Sequence, residues 1–322
     1  MKIAIIGSGY MGHRHLEIYS KFQGCSIILN DQDHGLASQL AKSYGVQYSE
    51  NLDNILSDHE VDAVDICTPT ASHAGLAVGA LSAGKHVFCE KPLCTSSKDA
   101  NSIFLSQEKA DKLVMVGYIY RFSPTLQYIK KTLDQNVIGD PLLAILRIGS
   151  KGSRSLWKHR SDSDGGAKYE MLMHLLDLAY WFFGDINDFQ VLRQSTILTT
   201  RNISGQQLNV DADDFILASS RYGNGQILYE ADLVTPAYMN FIDIQGSNGS
   251  IFTSIISNLP TLIYCNSAKS SFEKGHNWRS FPEEDFLSKE LLCFLETMRG
   301  NETDNEIHSV KDSLKILSLL GI

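Results

Sequence analysis

The sequence predicts an α/β chain of two domains, a doubly wound parallel-sheet domain over residues 1–120 and an α+β domain over residues 121–322. Up to about residue 118, short apolar runs alternate with helical segments, as in a parallel sheet covered on both faces. Later apolar runs are mostly separated by turn residues such as Gly223-Asn224-Gly225, which is typical of antiparallel hairpins. At 322 residues, the chain can form two cores.

The first domain is expected to alternate strands with helices along its whole length. Its strands are expected at residues 2–6, 26–30, 46–48, 61–67, 85–89 and 113–117, and its helices at residues 11–22, 35–44, 52–56, 73–83 and 97–110.

The second domain is expected to form an open, mostly antiparallel sheet with helices on one face. Helices are expected at residues 124–134 and 167–183, and strands at residues 142–148, 189–200, 213–222, 226–234, 240–245, 250–256 and 261–264. The other face of this sheet is expected to carry the apolar residues Ile216, Leu228 and Phe241, which must be shielded from solvent. We therefore expect a homodimer or homotetramer in which a partner subunit shields this face.

A glycine-rich turn follows the first expected strand and leads into the first helix. Its sequence is Gly7-Ser8-Gly9-Tyr10-Met11-Gly12. The first glycine permits the tight turn, the second lets the backbone approach a pyrophosphate, and the third lets helix and strand pack closely. The start of that helix is itself an anion site, because its N–H groups and dipole point outward. The turn predicts a dinucleotide-binding Rossmann domain.

An acidic residue at the end of the second expected strand indicates which nicotinamide cofactor is bound. Asp31 lies 19 residues beyond Gly12, where a carboxylate accepts hydrogen bonds from the ribose hydroxyls and repels a 2′-phosphate. No arginine follows it in Gln32-Asp33-His34. NAD is therefore expected in preference to NADP.

Further cofactor contacts are expected where the later strands of the parallel sheet end. Thr68, Pro69 and His73 follow the fourth expected strand, and Glu90 and Lys91 follow the fifth. Residues at the carboxyl ends of parallel strands face the ligand crevice.

The composition of the chain limits its expected binding partners and its expected cellular compartment. The chain has 28 basic and 37 acidic residues and a net charge of −9, which disfavours nonspecific binding to nucleic acid or anionic membranes. No apolar run approaches the roughly 18 residues of a membrane span, and the first strand leaves no room for a signal peptide. The six cysteines show no metal-ligand spacing, so reduced thiols and a cytoplasmic location are expected.

Several motifs, taken in order, resemble the glucose–fructose oxidoreductase and inositol dehydrogenase (Gfo/Idh/MocA) family. They are the turn from Gly7 to Gly12, Thr68-Pro69 with His73, Ala83 to Val87 leading into Glu90-Lys91-Pro92, Arg121 to Pro124, Gly165-Gly166-Ala167, and His174 with Asp177 ahead of Trp181 to Gly184. The resemblance implies a two-domain, nicotinamide-dependent enzyme that oxidises or reduces a carbinol carbon of a sugar, cyclitol or nucleotide sugar. It also implies that Lys91 and His174 are the catalytic pair.

The chain departs from the family pattern near the histidine. Glu170 stands where many members have Asp, and Leu172 stands where many have Gly. Two alternatives stay open. One is a nicotinamide-binding regulatory protein without turnover, and the other is an NAD-dependent glycosidase that oxidises its substrate only transiently.

The expected chemistry needs a base for the hydroxyl proton and a donor for the substrate oxygen. Lys91 precedes Pro92, which restricts the backbone, and its ammonium can donate to that oxygen. Glu170, His174 and Asp177 lie at i, i+4 and i+7, so an otherwise apolar helix places them on one stripe. His174 would take the proton and an acidic neighbour would orient it. The alternatives are a surface lysine and a core histidine paired with Asp177; no metal site is expected.

A basic segment precedes the glycines at 165 and 166. It contains Arg154, Trp157 and Lys158, and with Arg121 these residues are expected to contact substrate. An arginine there can bind a phosphate or carboxylate with two hydrogen bonds. The alternative is a solvated loop.

Overall fold

A computed structural model describes residues 1–153, 155–203, 205–235, 240–255, 259–301 and 307–322. The chain divides into two compact units. The first comprises Met1–Ile119 and Asp285–Ile322, and the second comprises Tyr120–Glu284. The division near residue 120 is where the sequence suggested it, but the sequence analysis placed residues 285–322 in the second domain.

The first unit begins with a parallel sheet and its helices. These elements are β1 (Lys2–Ile6), α1 (Tyr10–Tyr19), β2 (Ser26–Asn30), α2 (His34–Tyr44), β3 (Gln47–Tyr48), α3 (Leu52–Ser57), β4 (Ala63–Ile66), α4 (His73–Ser82), β5 (His86–Glu90), α5 (Ser97–Ala110) and β6 (Val114–Gly117). In the described residues the strand order is β3-β2-β1-β4-β5-β6 and every pairing is parallel. The order reverses between β1 and β4, and ligands bind outside the strand ends at such a reversal.

The second unit contains one large mixed sheet. Its elements are α6 (Pro124–Asp134), β7 (Pro141–Gly149), a π-helical turn (Lys168–Leu172), α7 (Met173–Phe183), β8 (Asn187–Ser195), β9 (Thr200–Ile203), β10 (Gln206–Asn209), β11 (Phe215–Tyr222), β12 (Gly225–Asp232), β13 (Phe241–Gly246), β14 (Gly249–Ser254), β15 (Thr261–Cys265) and β16 (Gly275–Arg279). Among these, the large sheet has the order β16-β15-β14-β13-β7-β12-β11-β8, while β9 and β10 form a separate pair. Only the β7–β12 pairing is parallel in this described sheet.

Along the strands of the large sheet, successive side chains alternate between a buried face and a more open face. On β11 and β12, Ile216 and Tyr229 are fully buried, whereas Leu228 is half-buried. The expectation that Ile216 lies on the open face was wrong, because the alternation places it with the core residues. Phe252 and Trp278 are 42% and 65% exposed, so the open face carries large apolar side chains.

The chain then returns to the first unit in two helices that the sequence analysis did not anticipate, α8 (Phe286–Met298) and α9 (Val310–Leu319). Helix α8 packs against α1, and α9 packs against α5. The ring of Phe294 on α8 meets the ring of Phe88 on β5 edge to face, with centroids 5.5 Å apart. This burial is the physical reason that residues 285–322 belong to the first unit. No helix within the described ranges is long and apolar enough to span a membrane.

Candidate active site

The glycine-rich turn has the geometry of a dinucleotide cradle. Gly7 has φ of +99°, and a Cβ on Gly12 would lie 1.8 Å from the carbonyl oxygen of Gly7, so both positions require glycine. A Cβ on Gly9 would meet no atom of the described residues within 4 Å, which leaves the backbone approachable there. Tyr10 and Met11 begin α1, and Tyr10 is 73% exposed. These positions fit the roles predicted for the three glycines.

Asp31 is held beside this turn. Its carboxylate accepts hydrogen bonds from the backbone N–H of Ser8 and, at 2.8 Å, from that of Asp33. Each carboxylate oxygen has a second acceptor site, so a ribose hydroxyl can still donate to it. The hydroxyl of Ser8 is buried and has no hydrogen-bond partner within the described ranges. The residues present therefore fit a dinucleotide with an unmodified ribose.

The side chain of His73 connects the two loops that follow β4 and β5. One ring nitrogen lies 2.8 Å from the carbonyl oxygen of Thr68, and the other lies 2.9 Å from that of Pro92. Burial lowers the pKa of His73, and the two carbonyls oppose that shift. Thr68 and Pro69 are accessible, whereas His73 is 1% exposed. His73 thus supports the loops from behind.

Lys91 follows β5 and its side chain is partly exposed. The backbone N–H of Lys91 donates to Oε2 of Glu90 at 3.2 Å, and Oε1 of Glu90 lies 3.2 Å from Nε2 of His15. Sequence reasoning did not single out His15. The available signal was a polar residue on the buried face of α1, beside Leu16 and Tyr19.

The acidic stripe begins in a π-helical turn, where the sequence predicted a regular helix. π-Helical turns occur frequently at functional sites. Glu170 lies in this turn and is 8% exposed. Its Oε2 is 2.6 Å from the ammonium of Lys158, so the basic segment and the stripe meet in an ion pair.

Asp177 belongs to a second buried ion pair on the same stripe. Its Oδ1 and Oδ2 lie 3.0 and 3.1 Å from Nε of Arg121, and Nη2 of Arg121 donates to Oδ1 as well. The two side chains are 1% and 4% exposed. The guanidinium also lies 5.8 Å from the ring centroid of Trp181. Arg121 thus fixes Asp177, and its guanidinium is largely withdrawn from solvent.

His174 lies between these two acidic residues on the stripe and is more accessible than either. Tyr120 meets the imidazole edge to face, with ring centroids 4.9 Å apart. Burial raises the pKa of Tyr120 to about 12, so the phenol stays protonated at neutral pH. An accessible imidazole against a neutral ring is able to exchange a proton with a bound molecule.

The basic segment folds over the glycines that begin the stripe. Lys158 lies 5.2 Å from the ring centroid of Trp157, and the predicted residue Arg154 lies outside the described residues. A Cβ on Gly165 would be 2.6 Å from the carbonyl oxygen of Lys158, and one on Gly166 would be 2.5 Å from Oδ1 of Asp213. These close approaches explain the glycine pair.

A parallel domain with a dinucleotide cradle, followed by a sheet domain with a histidine-bearing helix, defines a class of nicotinamide-dependent oxidoreductases. The chain belongs to the Gfo/Idh/MocA family within this class, and it is an NAD-dependent dehydrogenase. Residues 1–118 match the family's oxidoreductase domain with an NAD-binding Rossmann fold. Residues 126–252 match a GFO/IDH/MocA C-terminal domain.

Two relatives are named as dehydrogenases of levoglucosan and of myo-inositol. The chain is 26% identical over 283 residues to levoglucosan dehydrogenase of Pseudarthrobacter phenanthrenivorans, a match that covers 78% of this chain and 73% of the relative. It is 25% identical over 309 residues to myo-inositol 2-dehydrogenase of Thermotoga maritima, covering 94% of this chain and 89% of the relative.

Solved structures share the fold. A levoglucosan dehydrogenase in complex with NADH and L-sorbose aligns over 100% of this chain and 96% of its own, with a TM-score of 0.85 and 21% identity. GenD2 from gentamicin A biosynthesis, in complex with NAD, aligns over 100% and 92%, with a TM-score of 0.81 and 19% identity.

Proposed function

We propose that this protein transfers a hydride between NAD and a carbinol carbon of a sugar, a cyclitol or a nucleotide sugar. The proposal is supported by the surroundings of Lys91 in the first unit and of His174 in the second. Lys91 follows β5, where its backbone N–H donates to Glu90, and His174 lies in sequence between Glu170 and Asp177, which are each paired with a cation. The substrates named for the levoglucosan and myo-inositol dehydrogenases support a polyhydroxylated ring as substrate.

Lys91 and His174 divide the acid–base work on one hydroxyl group. The Lys91 ammonium donates a hydrogen bond to the substrate oxygen, and neutral His174 accepts the hydroxyl proton as the carbonyl forms. Bound NAD supplies the acceptor for the hydride that leaves the carbinol carbon. In the reverse direction, His174 returns the proton to the carbonyl oxygen.

The cofactor is bound by residues of the first unit. Gly7, Gly9 and Gly12 bring the backbone to the pyrophosphate, and Asp31 accepts from the ribose hydroxyls. Thr68 and Pro69 contact the cofactor directly. His73 and Glu90 support these loops instead of contacting the cofactor, because both side chains form hydrogen bonds with backbone groups of the loops.

The neighbours of His174 set its position and the character of the substrate. Asp177 and Arg121 fix the helix that carries it, and this support replaces the substrate contact predicted for Arg121. Glu170 and Lys158 form an ion pair in which the Lys158 side chain is 25% exposed, so Lys158 and Trp157 can contact a polar substrate group.

A substrate panel with NAD tests this function. We expect NADH to accumulate with at least one of levoglucosan, myo-inositol and related cyclitols, pyranoses and nucleotide sugars. Substrate cleavage without net NADH would instead support the NAD-dependent glycosidase. Tight NAD binding with no conversion in either direction would support the regulatory protein.

The open face of the second unit supports a homodimer or homotetramer. Phe241 and Phe252 stack with centroids 5.8 Å apart, and Phe252 and Trp278 are exposed. Large exposed apolar surfaces on a sheet commonly mark a subunit interface. Light scattering of the wild-type protein at micromolar concentration should give a multiple of the 35.8 kDa chain mass, and a monomer mass would refute the proposal. We also propose a cytoplasmic location, which is supported by cysteines that form no disulfide among the described residues.

A further inference from the structure

A buried polar cluster lies inside the first unit, beneath the loop that carries Lys91. His15 projects from α1 and is fully buried. Its Nδ1 lies 2.8 Å from Oδ2 of Asp65 and 3.3 Å from Sγ of Cys67. Its Nε2 lies 3.2 Å from Oε1 of Glu90, in the geometry of an ion pair rather than of an aligned hydrogen bond. The cluster joins the helix of the dinucleotide cradle to the loop after β5.

The protons in this cluster can be counted from its chemistry. A neutral imidazole carries one N–H, and its other nitrogen is a lone-pair acceptor. Ionised Asp65 and Glu90 are acceptors only, and they face opposite nitrogens of the same ring. With a neutral ring, one carboxylate would oppose a lone pair in a buried site, where the repulsion is strong. Only the imidazolium presents a proton to both.

We propose that His15 is a positioning residue, a buried imidazolium that bridges Asp65 and Glu90 and thereby holds the backbone of Lys91 in place. The proposal rests on the proposed function in one respect, namely that Lys91 acts on the substrate. Its chain of contacts runs from Asp65 through His15 to Glu90, whose Oε2 accepts the backbone N–H of Lys91 at 3.2 Å. On the far side of Lys91, His73 holds the carbonyl of Pro92 at 2.9 Å.

The electrostatics of the site agree with this protonation state. Burial by itself would lower the pKa of His15, but the charges and hydrogen bonds of Asp65 and Cys67 together raise that pKa well above the usual 6.5. Two further groups face the cluster. Burial raises the pKa of the Cys67 thiol and that of the Tyr19 phenol, so both stay neutral at neutral pH. The Asp65 carboxylate is therefore the negative charge that favours the proton on His15.

His15, Asp65 and Cys67 are also the one set of potential metal ligands found among the described residues. The contacts favour hydrogen bonding over metal ligation. Tetrahedral ligands at about 2.0 Å from an ion would be roughly 3.3 Å apart, and Nδ1 and Oδ2 are closer than that, at 2.8 Å.

Nuclear magnetic resonance of the histidine ring nitrogens tests the protonation state directly. In the wild-type holoenzyme, both nitrogens of His15 should carry protons at about pH 8, where an unperturbed histidine is neutral. Asp65→Asn should lower the pH at which the second proton is lost. A His15 that is neutral at about pH 7 in the wild type would overturn the proposal, whether or not Lys91 is catalytic. So would a tightly bound metal ion in the purified protein.

Two substitutions of His15 test its positioning role. In His15→Gln, the amide nitrogen replaces Nε2 beside Glu90, whereas in His15→Asn it replaces Nδ1 and reaches only Asp65. We expect kcat to fall about 10²-fold in His15→Asn, the size of loss that a misplacement of about 1 Å can cause, and clearly less in His15→Gln. The KM for NAD should change little in either.

The control is His86→Gln, which alters a half-buried histidine at the other end of β5. It should leave kcat unchanged. Equal losses in His15→Gln and His15→Asn, with equal losses of thermal stability, would reduce His15 to a structural residue. If Lys91→Ala kept full turnover, the proposed function would fail. The protonation state of His15 would still be decided separately by the nuclear magnetic resonance measurement.

Discussion

Asp177 and Asp214 in the second unit and Asp65 in the first are buried carboxylates that are held by different cations. In the second unit, Asp177 is paired with Arg121 and Asp214 with Arg201, both at side-chain exposures below 10%. In the first unit, Asp65 and Glu90 face the single imidazole of His15. An unpaired buried charge is costly in either place, and both arrangements remove that cost.

The difference lies in what each cation can do. An arginine stays charged at every pH at which a protein is folded, and its planar fork suits a carboxylate. A histidine can lose its charge within a few pH units of neutrality. The second unit is therefore expected to keep its ion pairs at alkaline pH, whereas the first unit depends on a proton.

The largest expected effect is the loss of the Arg121–Asp177 pair. Arg121→Met leaves a buried carboxylate without its guanidinium, which typically costs about 3–5 kcal/mol. All three tryptophans of the chain, Trp157, Trp181 and Trp278, lie in the second unit. Denaturant unfolding followed by tryptophan fluorescence should therefore report this loss directly.

The control for that prediction is an exposed ion pair of the same unit. Arg160 and Asp162 form hydrogen bonds at 3.1 and 2.8 Å in solvent, where such pairs contribute little. Arg160→Met should leave the unfolding midpoint almost unchanged. If both variants lost equal stability, the buried pair would have no special role.

The next effect is a response of the first unit to alkaline pH. Because the pKa of His15 is raised in the folded state, its contribution to stability is fully present below the unfolded value near 6.5 and is lost as pH rises through the folded value. Amide exchange, corrected for its intrinsic pH dependence, should show local opening around α1 and β5 at alkaline pH. His15→Gln should abolish this pH-dependent step, and opening that begins equally in α7 would contradict the comparison.

A smaller effect is expected at the cofactor ribose. Asp31→Ala removes the charge that repels a 2′-phosphate and should narrow the preference for NAD over NADP by about tenfold, or about 1.4 kcal/mol. Titration calorimetry with both dinucleotides measures it. Asp33→Ala is a matched control, because Asp33 is exposed and caps α2 through the N–H of Leu36. A wild-type protein that bound NADP more tightly would refute the cofactor assignment.

Local patterns predicted much of the first unit, because its signals lie in consecutive residues. The turn from Gly7 to Gly12 and the apolar runs of β1 and β2 gave both the elements and the cofactor class. Helix α8 also carries such a signal, with Leu287, Leu291, Phe294 and Leu295 buried on one face, and the sequence analysis missed it. Its return to the first unit depends on contacts with distant residues.

The ion pairs of the site could not be predicted, because their members are far apart in the chain. Arg121 and Asp177 are separated by 56 positions, and His15 and Asp65 by 50. Spacing along a helix predicted that Glu170, His174 and Asp177 share one stripe. It gave no information about the cation that each acid would meet, nor about the π-helical turn at Glu170.

The measurement that tests the central claim most directly is turnover by Lys91→Ala and His174→Ala, with NADH formation followed on the best substrate of the panel. Each variant should lose about 10²- to 10⁴-fold in kcat, or about 3–5 kcal/mol of transition-state stabilisation, while the Kd for NAD stays nearly constant. The double variant should lose less than the product of the two, because both groups act on one hydroxyl. The exposed residues Lys98 and His59 provide alanine controls that should keep full turnover. A His174→Ala enzyme that kept most of its turnover would contradict the account and leave Lys91 as the sole candidate base.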